Sequence, residues 1–234
     1  MQVAEVAKYW GYRLPLIRQS MRPRYDYKVC PGQLAAMMQF IDATAGTDAA
    51  IVEVGVARGQ TSMFLLEHLR TTGDDRPLYL VDTFSGFTAA SIATETEQRG
   101  KKAADFERFR YGSRKLLHSD LKSAGYDNFV TVQADATTYD WRTLGSIGAM
   151  LLDVDVYRPT AATIAAAVPL LAPEGGIVVD DCVPDTVDDG AFQAYTEHLA
   201  ASGRPFIRAG AKGAIIRGDH AIMPPALSIV SSAL

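Results

Sequence analysis

Five times along this chain a short apolar run carries or ends in an acidic side chain, and helical text fills most of the intervals. The runs are Ile51–Val54, with Glu53 inside it and Gly55 stopping it, then Leu78–Asp82, Phe129–Asp135, Ala149–Asp153 and Gly176–Asp180. Strands this apolar are buried on both faces, and their alternation with helices specifies a parallel sheet covered on each side. Sheets of that kind take ligands in the crevice beyond the carboxyl ends of their strands, where these acids fall. Helical spacing is visible from Gly32, through Leu34, Met37, Met38 and Ile41, and again from Thr61 to Leu69. Near the end, Pro205–Gly210 and Ala211–Arg217 read as two strands joined by a tight turn, which adds an antiparallel hairpin to an α/β fold.

Composition narrows the function classes. The chain has 234 residues, 48% hydrophobic and 21% charged, which suits one domain with a sizeable core. A net charge of −4 argues against nucleic acid as a main partner, because neutralising phosphates needs a basic excess. The opening residues, Met1-Gln-Val-Ala-Glu5, lack a basic stretch followed by an apolar one, so no secretory signal is expected. The longest uncharged interior stretch is too short to span a membrane and contains Pro169. Cys30 and Cys182 are too few for a disulfide framework and lack metal-ligand spacing. A cytoplasmic protein with no membrane partner is the expectation.

The chemistry is concentrated in four places. Glu53-Val-Gly55-Val-Ala-Arg58-Gly59-Gln-Thr61-Ser62 is a strand, a glycine loop and a helix start. Its glycines allow close approach to a ligand, but their Gly-x-x-x-Gly spacing departs from the dinucleotide fingerprint, and the preceding acid suits a cationic ligand better than a pyrophosphate. Asp82, ending the second run, can accept hydrogen bonds from ribose hydroxyls. Asp135, ending the third, can meet an adenine amine, or else serves as a turn residue. The fourth place is the most specific. Leu151-Leu-Asp153-Val-Asp155-Val-Tyr157-Arg158-Pro159-Thr160 ends one strand and Gly175-Gly-Ile-Val-Val-Asp180-Asp181 the next. Carboxylates crowded on adjacent strand ends repel unless neutralised, and an all-oxygen set favours Mg²⁺, Ca²⁺ or Mn²⁺ over zinc. Helix capping accounts for one of these acids at most. Of the scattered histidines, His68 and His198 read as structural, and His118 is a weak site candidate.

Taken together, Glu53–Gly59, Val81-Asp-Thr-Phe-Ser-Gly-Phe87, Asp153–Thr160 and Val179-Asp-Asp181 resemble the macrocin O-methyltransferase family. Those enzymes use S-adenosylmethionine and Mg²⁺ to methylate sugar hydroxyls. The likeness runs in order from about Tyr25 to Arg217. It implies a class I methyltransferase, Rossmann-like fold with a seven-stranded, mostly parallel sheet and a C-terminal antiparallel hairpin. It also implies that Glu53, Gly55 and Thr61 face the methionine part of the cofactor, that Asp82 takes the ribose, and that Asp135 and Ala136 flank the adenine. Arg58, Gly59, Thr83 and Asp153 complete the implied cofactor set. Asp153, Asp180 and Asp181 would hold the metal, and Asp155 would be the general base.

The acceptor is expected to be a sugar or glycoside, either a natural-product glycoside or a polysaccharide mannose such as a methylmannose polysaccharide precursor. A Mg²⁺-dependent catechol or caffeoyl-type O-methyltransferase is the alternative. A phosphatase of the haloacid dehalogenase type is disfavoured because no Lys lies between Asp153 and Asp180. The expected organisation is a substrate-side arm over residues 1–32 and a methyltransferase domain over 33–220. Within that domain, the charge-dense stretch 86–115 is expected to be a lid, against the simpler reading of a solvated helical face. The tail, residues 221–234, is read as a contact in a homodimer or higher homo-oligomer.

Overall fold

The computed structural model describes residues 3–15, 25 and 27–218. The tail read as an oligomer contact, and most of residues 16–26 within the arm, lie outside them. Helix α1 (Val3–Arg13) leads, followed by α2 (Pro31–Ala43), β1 (Ala50–Val54), α3 (Gln60–Thr72) and β2 (Leu78–Asp82). The 86–115 stretch follows as α4 (Ala89–Ala93), a π-helical turn (Thr94–Gln98) and a 3₁₀ turn (Ala103–Phe106). Then come α5 (Arg114–Ser123), β3 (Phe129–Gln133), β4 (Ile147–Leu152), α6 (Tyr157–Ala167), β5 (Leu171–Val179), α7 (Gly190–Ser202), β6 (Arg208–Ala209) and β7 (Gly213–Arg217).

The seven strands form one sheet in the order β3-β2-β1-β4-β5-β7-β6. The first five pair in parallel and β7 runs antiparallel to both β5 and β6, as expected from the apolar runs and the terminal hairpin. Every residue of β1 and β4 is buried, Glu53 included, as befits central strands covered on both faces. β5 begins earlier than expected, at Leu171, and exposes Pro173 and Glu174 before its buried second half.

Side chains alternate between two cores. Ile51, Leu78, Leu80, Leu151 and Val178 pack with Leu34, Met37, Leu65, Leu69 and Leu117 of α2, α3 and α5. Val52, Val54, Met150, Ile177 and Ile216 pack with Ile164, Tyr195 and Leu199 of α6 and α7. Burying each such aliphatic side chain contributes roughly 1.5–3 kcal/mol. Strand order reverses at β1, so the crevice opens between the carboxyl ends of β1 and β4.

Helix α2 packs across β5 because β5 has no side chain at Gly176. A Cβ there would fall 2.3–2.6 Å from the Phe40 ring. Gly176→Ala is therefore expected to cost about 1–3 kcal/mol in urea unfolding. Adding Phe40→Leu should restore part of that loss; an unchanged midpoint for the single variant would refute the close contact.

Candidate active site

The strand ends converge on a cavity of about 420 Å³. Gly55, Asp82, Thr83, Asp135, Ala136 and Asp153 line it, as do Asp155, Asp180 and Asp181. Glu53, Arg58, Gly59 and Thr61, also expected at the cofactor, are not among its lining residues. For Glu53 the reason is strand alternation. Its place between Val52 and Val54 turns it to the α3 face, where Ser62 Oγ donates to Glu53 Oε2 at 2.5 Å. Burial pushes its pKa up to about 8, against the lowering effect of the Ser62 hydrogen bond. Gly59, at φ 77°, is the residue before α3, and a Cβ there would fall 2.5 Å from Leu117 Cδ1. Its smallness serves packing against α5.

Gly55 has both roles. It lines the cavity at φ 86°, and a Cβ would overlap the Asp153 carbonyl at 1.7 Å. Asp82 ties the loops together: its Oδ2 accepts from the Val56 N–H at 2.7 Å and the Ala57 N–H at 3.2 Å, and its Oδ1 from the Phe84 N–H at 2.7 Å. Asp135 combines its cavity position with a turn, its Oδ1 accepting from the Thr137 N–H at 2.8 Å.

The acids of β4 and β5 form the other half of the cavity. One carboxylate oxygen each from Asp153, Asp155 and Asp181 lie within 4.8 Å of one another. Burial, then the neighbouring Asp180, Asp155 and Asp181, hold the Asp153 pKa well above the usual carboxylate range. Burial raises Asp155 as well, helped by a side-chain hydrogen bond with Asp181. A divalent cation would relieve this crowding of carboxylates. The all-oxygen donor set at the strand ends fits Mg²⁺ or Mn²⁺.

Asp180, expected among the ligands, carries a donor on each oxygen. Gln33 Nε2 donates to its Oδ1 at 2.8 Å and Lys212 Nζ to its Oδ2 at 2.6 Å. Burial raises Asp180, which Lys212 counters. Burial alone would lower Lys212, but Asp180 and Asp181 outweigh it and its pKa is raised.

The 86–115 stretch is not a single solvated helical face. Phe106 and Glu95 are buried, and Gly86, Phe87, Arg108 and Phe109 line the cavity. Ion pairs fasten it to the β5–α7 loop: Arg99 Nη2 and Lys101 Nζ reach Asp189 Oδ1 at 2.5 and 2.8 Å, and Arg108 pairs with Asp188. Arg108 also stands 3.9 Å from Asp155 Oδ2 and lies over the rings of Phe87 and Phe109. His118 packs edge-on against Phe129, outside the cavity lining, and His68 pairs with Asp42. Both cysteines are free. Among the described residues no helix is long and apolar enough to cross a membrane.

Sequence reasoning missed Lys212, Arg108, Asp188 and Gln33. For Lys212 and Gln33 the missing information was strand order and helix placement. Arg108 stood within the charged stretch with nothing to set it apart.

Because the Glu53 pKa is raised in the fold, its stabilisation is complete below the ordinary value of 4.5 and is lost as pH rises through about 8. The Tm of Glu53→Gln relative to the unsubstituted chain should rise steadily from pH 5 to pH 8. A pH-independent difference would show that Glu53 is not held protonated.

Comparison with known proteins agrees with this architecture. Residues 52–182 match the family model described as a methyltransferase domain, and the chain belongs to that family. A curated relative from Streptomyces olivaceus, 8-demethyl-8-(2,3-dimethoxy-alpha-L-rhamnosyl)-tetracenomycin-C 4'-O-methyltransferase, is 30% identical over 159 residues. The match covers 62% of this chain and 57% of that protein's length. The solved structure of the O-methyltransferase NovP superposes with a TM-score of 0.66 at 16% identity, covering 84% of this chain and 83% of that one. The calicheamicin methyltransferase CalS11 gives 0.60 at 18% identity, covering 90% and 85%. At these identities the structural likeness shows the fold.

Proposed function

With membership of the methyltransferase-domain family as the premise, we propose that this chain transfers a methyl group from S-adenosylmethionine to a sugar hydroxyl in a Mg²⁺-dependent reaction. The observation that carries this reading is the juxtaposition, in one cavity, of Asp82 and Asp135 on the β2 and β3 side with the acid trio Asp153, Asp155 and Asp181. The rhamnosyl 4'-O-methyltransferase relative supports a sugar acceptor, and the Asp82-Thr-Phe-Ser-Gly-Phe87 signature supports the macrocin type within the wider family.

The donor is a sulfonium cation, so a cavity lined by carboxylates favours it electrostatically. Gly55, Asp82, Thr83, Asp135 and Ala136 all line the cavity, which supports a reading in which Gly55 admits the cofactor to the β1 backbone, Asp82 and Thr83 take its ribose, and Asp135 and Ala136 flank its adenine. Asp153 and Asp181 would hold the metal with Asp155 beside them. Bound Mg²⁺ would supply Lewis acidity, lowering the pKa of the acceptor hydroxyl. Asp155 then receives the hydroxyl proton at its carboxylate. Ionised Asp155 is disfavoured by burial and by Asp181, so it is a stronger base than an exposed aspartate. Phe87 and Phe109 line the cavity beside Arg108, an apolar surface suited to exclude water and to meet a sugar ring. Positioning the hydroxyl in line with the methyl supplies much of the remaining acceleration.

The test combines S-adenosylmethionine, MgCl₂ and a panel of mono- and disaccharides, and follows a 14-Da mass gain. Asp155→Asn is expected to lower turnover at least about 10³-fold, the range for a lost general base, with cofactor affinity by calorimetry nearly unchanged. Full activity, or loss of cofactor binding, would remove Asp155 from the base role. Activity should vanish in excess EDTA and return with Mg²⁺; activity indifferent to the chelator would refute the metal.

A further inference from the structure

Among the described residues, two of the cations on the cavity wall are already met by protein acids. Arg108 pairs with Asp188 and stands 3.9 Å from Asp155 Oδ2. Lys212 Nζ lies 2.6 Å from Asp180 Oδ2 and 2.8 Å from Asp181 Oδ1. Lys28 also lines the cavity, and no acid among the described residues pairs with it. Its ammonium is left for a ligand.

The chain around Lys28 is anchored on both sides. Tyr27 packs edge-on against Phe64 of α3, ring centroids 5.8 Å apart, and Val29 is 1% exposed within the core under α2 and α3. The Tyr25 hydroxyl donates to the Val29 carbonyl at 2.8 Å, and the Cys30 N–H to Gln33 Oε1 at 2.9 Å. Gln33 Nε2 in turn donates to Asp180 Oδ1 at 2.8 Å, at the end of β5. The segment thus runs from α3, the helix that follows the Gly55 loop, to the end of β5. In the sheet, β1 and β4 lie between those two places, so Lys28, itself exposed, stands toward the β1 and β4 ends where Gly55 and Asp153 line the cavity.

The chemistry of the donor makes this cation necessary. S-adenosylmethionine ends in an amino acid whose ammonium suits a wall of aspartates and whose carboxylate is repelled by it. We propose that Lys28 receives the α-carboxylate of the cofactor, Nζ donating a charge-assisted hydrogen bond to it. The inference rests on the S-adenosylmethionine reading above. It gives to the cofactor a residue from the stretch expected to serve the acceptor. The four-carbon stem of lysine lets the ammonium follow the carboxylate as the ligand seats, while the packed neighbours on either side keep its backbone in place.

The probes are S-adenosylmethionine and its decarboxylated analogue, which keeps the sulfonium, the adenosine and the amine and lacks only the carboxylate. Binding of each to the full chain is measured by calorimetry, with MgCl₂ present and no acceptor. Lys28→Met should weaken S-adenosylmethionine at least about tenfold, the range for a lost hydrogen bond between charged groups, and leave the decarboxylated analogue within about threefold. Lys28→Arg, which keeps the charge, should retain most of the affinity for S-adenosylmethionine. Because Lys28 is exposed, the Tm of Lys28→Met should match that of the unsubstituted chain. Equal weakening of both ligands, or unchanged affinity for S-adenosylmethionine, would overturn the role given to Lys28 and leave the cofactor reading intact. A raised acceptor KM with unchanged cofactor affinity would overturn it too, assigning Lys28 to the acceptor. Absence of S-adenosylmethionine binding to the unsubstituted chain at millimolar concentration would overturn the cofactor reading itself.

Discussion

Asp153, Asp155, Asp180 and Asp181 are brought together by two adjacent parallel strands ending side by side, and their mutual repulsion governs the rest of the site. Crowded carboxylates in a sheltered crevice need positive charge beside them. Lys212 bridges Asp180 and Asp181, and Arg108 stands 3.9 Å from Asp155. One oxygen each of Asp153, Asp155 and Asp181 still gather at ligand spacing, a donor set that suits a hard dication.

The backbone is bent to hold this arrangement. Ala57, Phe109, Asp155 and Asp181 line the cavity and have positive φ, a conformation that disfavours side chains and costs of order 1 kcal/mol or more each. The surrounding structure compensates through contacts that tie elements to one another. Glu95 takes the Arg99 Nε at one oxygen and the Tyr157 N–H at the other, which joins the 86–115 stretch to the first turn of α6, just beyond Asp155. Arg99 continues to Asp189, and Arg108 to Asp188, so the 86–115 stretch, the β4–α6 loop and the β5–α7 loop form one braced unit.

How much of this was legible in the sequence follows from the range of each signal. The strand runs, their parallel order and the terminal hairpin were readable because burial on both faces leaves near-continuous apolar text, as in Ile147–Leu152. The acids at the strand ends were readable for the same reason, since each closes such a run. Lys212 was not, because its position depends on β7 pairing with β5 rather than on anything near it in the chain. Gln33 reads as an ordinary early helix residue, and only the packing of α2 over β5 brings it to Asp180. The direction of Glu53 follows from strand alternation: burial of Val52 and Val54 on one face turns Glu53 to the other, toward Ser62.

The glycine motif illustrates how the two halves of the cavity depend on one another. Gly59 is small for Leu117 and Gly55 for the Asp153 carbonyl, so contacts within the protein alone account for both. Yet the Gly55 contact has a consequence for chemistry. With no Cβ between them, the ends of β1 and β4 close up, the Asp153 N–H donates to the Val54 carbonyl at 2.8 Å, and the Gly55 N–H to the Val81 carbonyl at 3.0 Å. The same closure sets Asp153, a member of the acid trio, directly against the end of β1 where Gly55 lines the cavity. A larger residue at position 55 would force the β1 and β4 ends apart and distort the loop that lines the cavity, and positioning is the term in catalysis most sensitive to such a displacement.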